Sequence, residues 1–151
     1  MRWQEVGTYL ERIVRVASLR TAAEFPNDLS LGGSLLMLCF EKEVPHDSET
    51  LRLFRRVASA LPLAIKVYGP EASALFGRLV EHLDTERPLL HIMTGECYGR
   101  DVREALEDFL RATWPSEERF DDWRSYAIVA VGDLEFCNRV TEAARTLVSG
   151  G

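Results

Sequence analysis

Alternation of apolar runs with amphipathic helical patterns constrains this chain more than any other feature of its sequence. The runs are Leu35–Phe40, Leu63–Tyr68, Pro88–Thr94 and Tyr126–Val131. Strands that are apolar on both faces need cover on both sides, which parallel sheets obtain from the helices connecting their strands. We therefore predict an α/β fold: a Rossmann or flavodoxin-like three-layer domain in which four β-α units over residues 34–149 form a four-stranded, mainly parallel sheet.

The order of these strands and the start of the chain complete the predicted fold. Right-handed crossovers leave few arrangements, and the order 2-1-3-4 is preferred, which places the reversal of strand order between the first and third strands. Residues 1–24 are predicted to form an added N-terminal helix, because apolar side chains recur there at steps of three and four. These side chains are Trp3, Val6, Leu10, Ile13 and Ala17. No composition break divides residues 1–151, so one domain is expected.

Charge and composition restrict the classes of partner. The formal net charge is -6, and the arginine clusters have acids close by, so no nucleic-acid partner is expected. No run approaches the roughly 20 apolar residues of a membrane span, and the charged start lacks the features of a secretory signal. Cys39, Cys97 and Cys137 make an odd count without metal-site spacing, which agrees with a reducing compartment. We expect a cytoplasmic protein without structural disulfides or a metal.

The turn at residues 95–99, with the sequence GECYG, is the strongest catalytic signal. Cys97 lies between two glycines where a predicted strand meets a predicted helix. This stretch resembles the cysteine elbows of amidotransferase-like and related flavodoxin-like hydrolases, and the resemblance implies a nucleophilic thiol at Cys97. Those families supply a histidine from a later loop, whereas the last histidine here is His91. The Asp101–Glu104 capping box also starts the helix about four residues after the cysteine.

A catalytic set would therefore need a histidine from another loop. His46 follows the first predicted strand, and Glu43 or Asp47 could orient it. A Cys97/His46 pair with Glu43 is accordingly the catalytic arrangement that the sequence allows.

Ligand contacts are expected where the predicted parallel strands end. The residues that we assign to such a site are Tyr68, Glu96, Tyr98 and Asp133. Neither a Walker phosphate loop nor a G-x-G-x-x-G fingerprint is present, so no cofactor is predicted. Carboxylates at strand ends suit Mg²⁺, but they equally cap helices, and no metal site is predicted.

A looser resemblance extends along the chain. It rests on the acid-ended strand Leu35–Glu43, on Tyr68-Gly69, on His91–Thr94 and on the helical pattern Val102–Leu106. In these features the chain resembles small, uncharacterised bacterial α/β proteins. The resemblance implies an α/β fold and no particular activity.

The connection over residues 112–125 is longer than most links of its kind. It carries Trp114, Phe120 and Trp123 among four acids, which either form a partner-binding surface or cover one end of the core. Trp3 and Leu10 of the predicted N-terminal helix offer a second surface. These features favour a non-enzymatic protein-binding module, such as a regulatory, immunity-type or accessory subunit, whose acidic charge favours a basic partner.

Two alternatives stay open. The first is a small-molecule-handling enzyme or sensor with a site centred on Cys97. The second is a homodimer that uses the apolar stripe of residues 1–24 as its seam; otherwise that stripe covers the sheet.

Overall fold

The computed structural model describes residues 1–86 and 92–150. The strands are β1 (Trp3–Tyr9), β2 (Arg12–Leu19), β3 (Ser34–Phe40), β4 (Ala64–Tyr68), β5 (Met93–Glu96) and β6 (Ser125–Val131). The α-helices are α1 (Ser48–Ser59), α2 (Ala72–Glu86), α3 (Val102–Ala112) and α4 (Leu134–Gly150). Two short 3₁₀ segments lie at Ala22–Glu24 and Glu117–Asp122.

Within the described residues, six strands form one mixed sheet in the order β1-β2-β6-β3-β4-β5. Only the β1–β2 pair among these neighbours is antiparallel. Alternate side chains of each central strand bury on opposite faces, as in β3, where Leu36 and Leu38 face α1 and α2 while Leu35 and Met37 face α3 and α4. The fold is therefore α/β with helices on both sides of the sheet, as predicted, but it has more strands than the four expected.

The prediction of an N-terminal helix over residues 1–24 was wrong, because this segment forms the β1–β2 hairpin. Partly buried side chains in β1 recur every three residues and imitate a helical period. They do not share one face: Trp3 packs on one side of the sheet, and Val6 and Tyr9 pack on the other, with a bulge between Glu5 and Gly7. The two turn residues, Leu10 and Glu11, both have positive φ (49° and 66°). Two-residue turns of this kind usually have the sequence Asn-Gly or Asp-Gly, which this turn lacks.

The preferred strand order was also wrong. The four predicted strands correspond to β3, β4, β5 and β6. Numbered 1 to 4 in that sequence, they lie in the sheet in the order 4-1-2-3, because β6 lies between β2 and β3. Six of the seven β6 residues are buried, which suits a strand with neighbours on both edges and helices on both faces. By contrast, β5 contains Gly95 and Glu96 and exposes Met93, so it suits an edge.

The structure describes the third predicted strand, Pro88–Thr94, only from residue 92 onwards. Its residues 88–91, with His91, lie outside the described residues, and β5 continues to Glu96. The first residues of GECYG thus belong to the strand rather than to the turn. The helix start after this turn is confirmed: Asp101 caps α3 by accepting a hydrogen bond of 2.9 Å from the Glu104 amide.

Candidate functional site

A cleft lies at the carboxyl ends of β2, β6 and β3, where the direction of strand addition reverses. From β3 the chain adds β4 and β5 on one side, and it then crosses the opposite face through α3 to place β6 on the other side of β3. Ligands of open α/β sheets bind beside such a reversal. The cleft has a volume of about 540 Å³, within the usual range for small-molecule sites. We had predicted the reversal between the first and third predicted strands, next to the GECYG turn. The observed reversal lies on the other side of β3, away from that turn.

Hydrogen bonds fix the β3 and β6 ends of the cleft to each other. Glu41, directly after β3, accepts a 3.0 Å hydrogen bond from the Asp133 amide through Oε1. Asp133 in turn caps α4 by accepting a bond of 2.8 Å from the Phe136 amide. Between them, Gly132 is required, because a Cβ at that position would lie 2.7 Å from the Cβ of Glu41. The two loops are therefore held in one arrangement before any ligand arrives.

Hydrogen bonds also fix the opposite wall of the cleft, which is formed by the start of α1 and the segment after β2. Asp47 caps α1 by accepting a 3.1 Å hydrogen bond from the Thr50 amide, and Glu49 accepts one of 3.2 Å from the Ala23 amide. Among the described residues, two cationic and five carboxylate side chains line the cleft. They are Arg20, Lys42, Glu41, Glu43, Asp47, Glu49 and Asp133. The excess of negative charge favours a polar ligand that carries an amine over an anionic one.

The residues predicted as a catalytic set are placed apart. Cys97 is 6% exposed and packs with the core beneath α3 and α4. His46 is exposed and lines a groove with Phe54 and His82 on the other face of the sheet. Glu43 lines the cleft at the reversal. The structure thus offers Cys97 neither His46 nor Glu43 as a neighbour.

The environment of Cys97 also holds its thiol protonated. Burial raises its pKa from the usual 9.0 to about 12, Asp108 adds to the rise, and Lys66 opposes it. The Cys97 amide donates a 2.9 Å hydrogen bond to the Val67 carbonyl, so its backbone extends the sheet. A thiolate is the reactive form of cysteine, and the raised pKa makes it scarce at neutral pH.

The four predicted ligand contacts lie in different places, and Asp133 alone among them lines the cleft. Tyr68 ends β4 on the α3 and α4 face, where burial, followed by nearby Cys39, raises the pKa of its hydroxyl. Glu96 accepts a 3.0 Å hydrogen bond from the Ser73 hydroxyl and so ties β5 to α2. Tyr98 is 72% exposed, and its amide donates a 3.0 Å hydrogen bond to Asp108.

Aromatic rings of the 112–125 connection form a second surface at the opposite end of the sheet. Trp123 is 2% exposed, whereas Trp114 and Phe120 are 48% and 43% exposed. The two exposed rings are nearly parallel, with centroids 6.5 Å apart and 16° between their planes. Each stands at 82° to Trp123, with a centroid distance of 5.6 Å. We call Trp114, Phe120 and the flanking 117–122 segment the aromatic surface.

Arg12 joins the hairpin turn to this surface. Its Nη1 donates a 3.1 Å hydrogen bond to the Leu10 carbonyl, and its Nε donates one of 3.3 Å to the Trp123 carbonyl. Leu10 is therefore brought beside the aromatic surface, as part of a turn and not of a helix. Trp3 lies at the far end of β1, where the Arg15 guanidinium is 4.5 Å from its ring centroid, and it is separate from this surface.

Buried polar atoms without a hydrogen-bond partner concentrate beneath the aromatic surface. Four of the five found among the described residues belong to residues 113–126. They are Thr113 Oγ1, Ser116 Oγ, Trp123 Nε1 and the Tyr126 hydroxyl. Burial also raises the pKa of Tyr126. An unpaired buried polar group costs about 1–3 kcal/mol.

Comparison with known proteins gives no relative. The sequence matches no protein-family model, no curated protein and no solved structure.

Among the described residues, no group of three or more histidine, cysteine or acidic side chains is arranged to hold a metal ion. Across the same parts of the chain, none of the helices has the length and apolar character that a membrane span needs.

The sequence analysis selected Trp114, Phe120, Trp123 and Leu10, which lie near one another in the structure, but it did not select Arg12. Its role depends on the hairpin, which brings it to Trp123 across 111 residues of sequence. The alternation of side chains along β2 could have identified it as a strand, because Val14 and Val16 are buried on one face while Ile13 and Arg15 face the other way.

Proposed function

We propose that this protein is a non-enzymatic protein-binding module, such as a regulatory, immunity-type or accessory subunit, that binds its partner through the aromatic surface. The observation that carries the proposal is the pair of parallel, half-exposed rings of Trp114 and Phe120. Tryptophan and arginine are enriched among the residues that dominate binding energy at interfaces. A rigid pair of large rings also loses little conformational entropy when a partner covers it.

The support beneath the two rings strengthens the proposal. Trp123 packs edge-on against both of them and also against Tyr126, at 5.5 Å between centroids. Tyr126 continues this contact to Phe109, at 5.8 Å, and so into the core. The exposed rings are thus held in place before binding, as expected of a preformed docking surface.

A site-specific photo-crosslinker at position 114 tests the proposal. In cells of the source organism, incorporation at position 114 should give a discrete cross-linked protein, and incorporation at position 134 should not. Leu134 is a matched control because it is 71% exposed and lies at the other end of the sheet. The Phe120→Ala variant should weaken the cross-link at position 114. Equal cross-linking at both positions, or none at either, contradicts the proposal.

Small-molecule binding is a second candidate function, favoured by the cleft at the reversal of strand order. It modifies the hypothesis of a Cys97-centred enzyme or sensor, because the cleft lies on β2, β6 and β3 and has no thiol in its lining. Carboxylates outnumber cations there, so we expect amines to bind rather than phosphates.

A thermal-shift screen with putrescine, spermidine and arginine amide tests this second function. An amine that binds should raise the melting temperature of the wild-type protein, and Glu43→Gln should reduce the shift. Glu107→Gln, an equal change of charge on the surface of α3, should leave the shift unchanged. If no amine raises the melting temperature, or if both variants respond alike, the cleft is not an amine site.

A further inference from the structure

We infer that the aromatic surface receives a basic segment of the partner, with an arginine or lysine side chain over an exposed ring face. This inference rests on the proposed function and adds the chemistry of the partner. Aromatic ring faces carry negative potential and attract ammonium and guanidinium groups. Two features of the surface point to such a cation.

The protein already places one cation on this ring cluster. The Cζ atom of Arg12 lies 3.6 Å from the centroid of Trp123 and 5.9 Å from that of Phe120. Arg12 thus covers the buried ring of the cluster. In the part of the chain that the structure describes, no arginine or lysine lies over Trp114. The most exposed ring of the cluster is therefore open to a cation from outside.

Carboxylates border the rings. In the 117–122 segment, Asp122 is paired with Arg119 at 2.9 Å. Glu117 and Asp121 are exposed, and no hydrogen bond or ion pair within the described residues uses their carboxylates. Residues three apart eclipse each other in a 3₁₀ helix, so Glu117 lies on the same face of the segment as Phe120. A ring face and a free carboxylate side by side match an arginine or lysine side chain.

The same charges argue against a second copy of the chain as the occupant. A symmetric dimer through this surface would bring the free carboxylates of Glu117 and Asp121 towards those of the other copy. The net charge of -6 adds a repulsion between copies. Both the free carboxylates and the negative net charge attract a basic partner and accelerate its approach.

Short peptides of defined charge test the inference on the full chain. The probes are nona-arginine, nona-glutamate and a proline-rich nonapeptide, and the readout is the indole N–H resonance of each tryptophan in ¹H–¹⁵N spectra. Nona-arginine should shift the Trp114 resonance and leave that of Trp3 in place. Trp114→Leu keeps apolar bulk but removes the indole ring, and it should weaken the binding of nona-arginine about tenfold.

Charge-matched variants separate a local site from general attraction. Glu117→Gln/Asp121→Asn should weaken nona-arginine binding about tenfold. Glu81→Gln/Asp84→Asn removes the same charge from exposed positions of α2 and should change binding less than twofold. Equal weakening by both double variants would overturn the inference, because binding would then follow net charge alone.

The remaining outcomes distinguish this inference from the proposed function. If the proline-rich peptide shifts Trp114 and nona-arginine does not, the surface binds a partner but the partner is not basic. If no peptide shifts Trp114 while the cross-link at position 114 persists in cells, the basic-segment inference again fails and the proposed function stands. Loss of both signals overturns both.

Discussion

The guanidinium of Arg12 lies 3.6 Å from the ring centroid of Trp123, a contact between the first hairpin and the last long connection of the chain. It combines a cation–π contact with hydrogen bonds to the carbonyls of Leu10 and Trp123. One side chain therefore fixes the hairpin turn and supports the aromatic surface. Stability and partner binding should both depend on it.

Replacement of Arg12 by alanine should lower the free energy of unfolding by about 1–3 kcal/mol, because it removes the ring contact and both hydrogen bonds. Urea denaturation followed by tryptophan fluorescence measures this change. Arg55→Ala, at an exposed position of α1 whose side chain makes no hydrogen bond or ion pair among the described residues, should leave the midpoint unchanged. A midpoint shift no larger than that of Arg55→Ala would show that Arg12 does not link the two segments.

Much of the sheet was predictable because several of its strands are continuous apolar runs. Leu35–Phe40 and Tyr126–Val131 are buried on both faces, and the Asp101 cap of α3 could be read directly from its spacing. The hairpin was missed because its turn, Leu10-Glu11, has no glycine or asparagine, so the alternation of β2 was the only signal for it. Strand order was not predictable either, since the pairing of β6 with both β2 and β3 depends on the hairpin being present.

The aromatic surface was predictable only in part, for the same reason. Trp114 and Phe120 stood out as aromatic residues in a long connection. Their relation to Leu10 depends on contacts through Arg12 that span most of the chain. The cleft was harder to predict, because its position follows from the strand order.

Cys97 should react with iodoacetamide more slowly than a free thiol at pH 7. Burial raises its pKa to about 12, so the reactive thiolate is scarce, and its exposure is slight. Mass spectrometry of the native protein over time measures the rate, with the urea-unfolded protein as the reference for complete labelling. His46→Ala should leave the native rate unchanged. Rapid alkylation that slows in this variant would restore the catalytic hypothesis.

The same raised pKa predicts a loss of stability in alkali. An unfolded thiol ionises near its usual pKa of 9.0, whereas the buried Cys97 thiol stays protonated up to about 12. The contribution of the protonated thiol is therefore complete below pH 9 and declines as the pH rises towards 12, at up to about 1.4 kcal/mol per pH unit. Urea midpoints at pH 8, 9 and 10 should fall less steeply in Cys97→Ala than in the wild type. Parallel curves would contradict this assignment.

Tyr126→Phe should leave the free energy of unfolding unchanged or raise it by up to about 1 kcal/mol. The Tyr126 hydroxyl is buried without a hydrogen-bond partner, and removing an unpaired polar group avoids its desolvation penalty. The ring contacts with Trp123 and Phe109 remain in phenylalanine. Tyr98→Phe, at a 72% exposed position, controls for loss of a hydroxyl from the surface. Destabilisation by more than 1 kcal/mol would mean that the hydroxyl has a partner.

The hairpin turn should be stabilised by Leu10→Asn/Glu11→Gly. Both residues have positive φ, 49° and 66°, a conformation that costs ordinary residues about 1–2 kcal/mol each and that Asn-Gly adopts readily. A melting temperature several degrees higher is expected for a chain of this length. The same pair placed in α1, as Leu51→Asn/Arg52→Gly, should lower it, since glycine inside a helix is unfavourable. If both variants lower the melting temperature, residues 10 and 11 do not form the turn, and the link from Arg12 to the aromatic surface loses its basis.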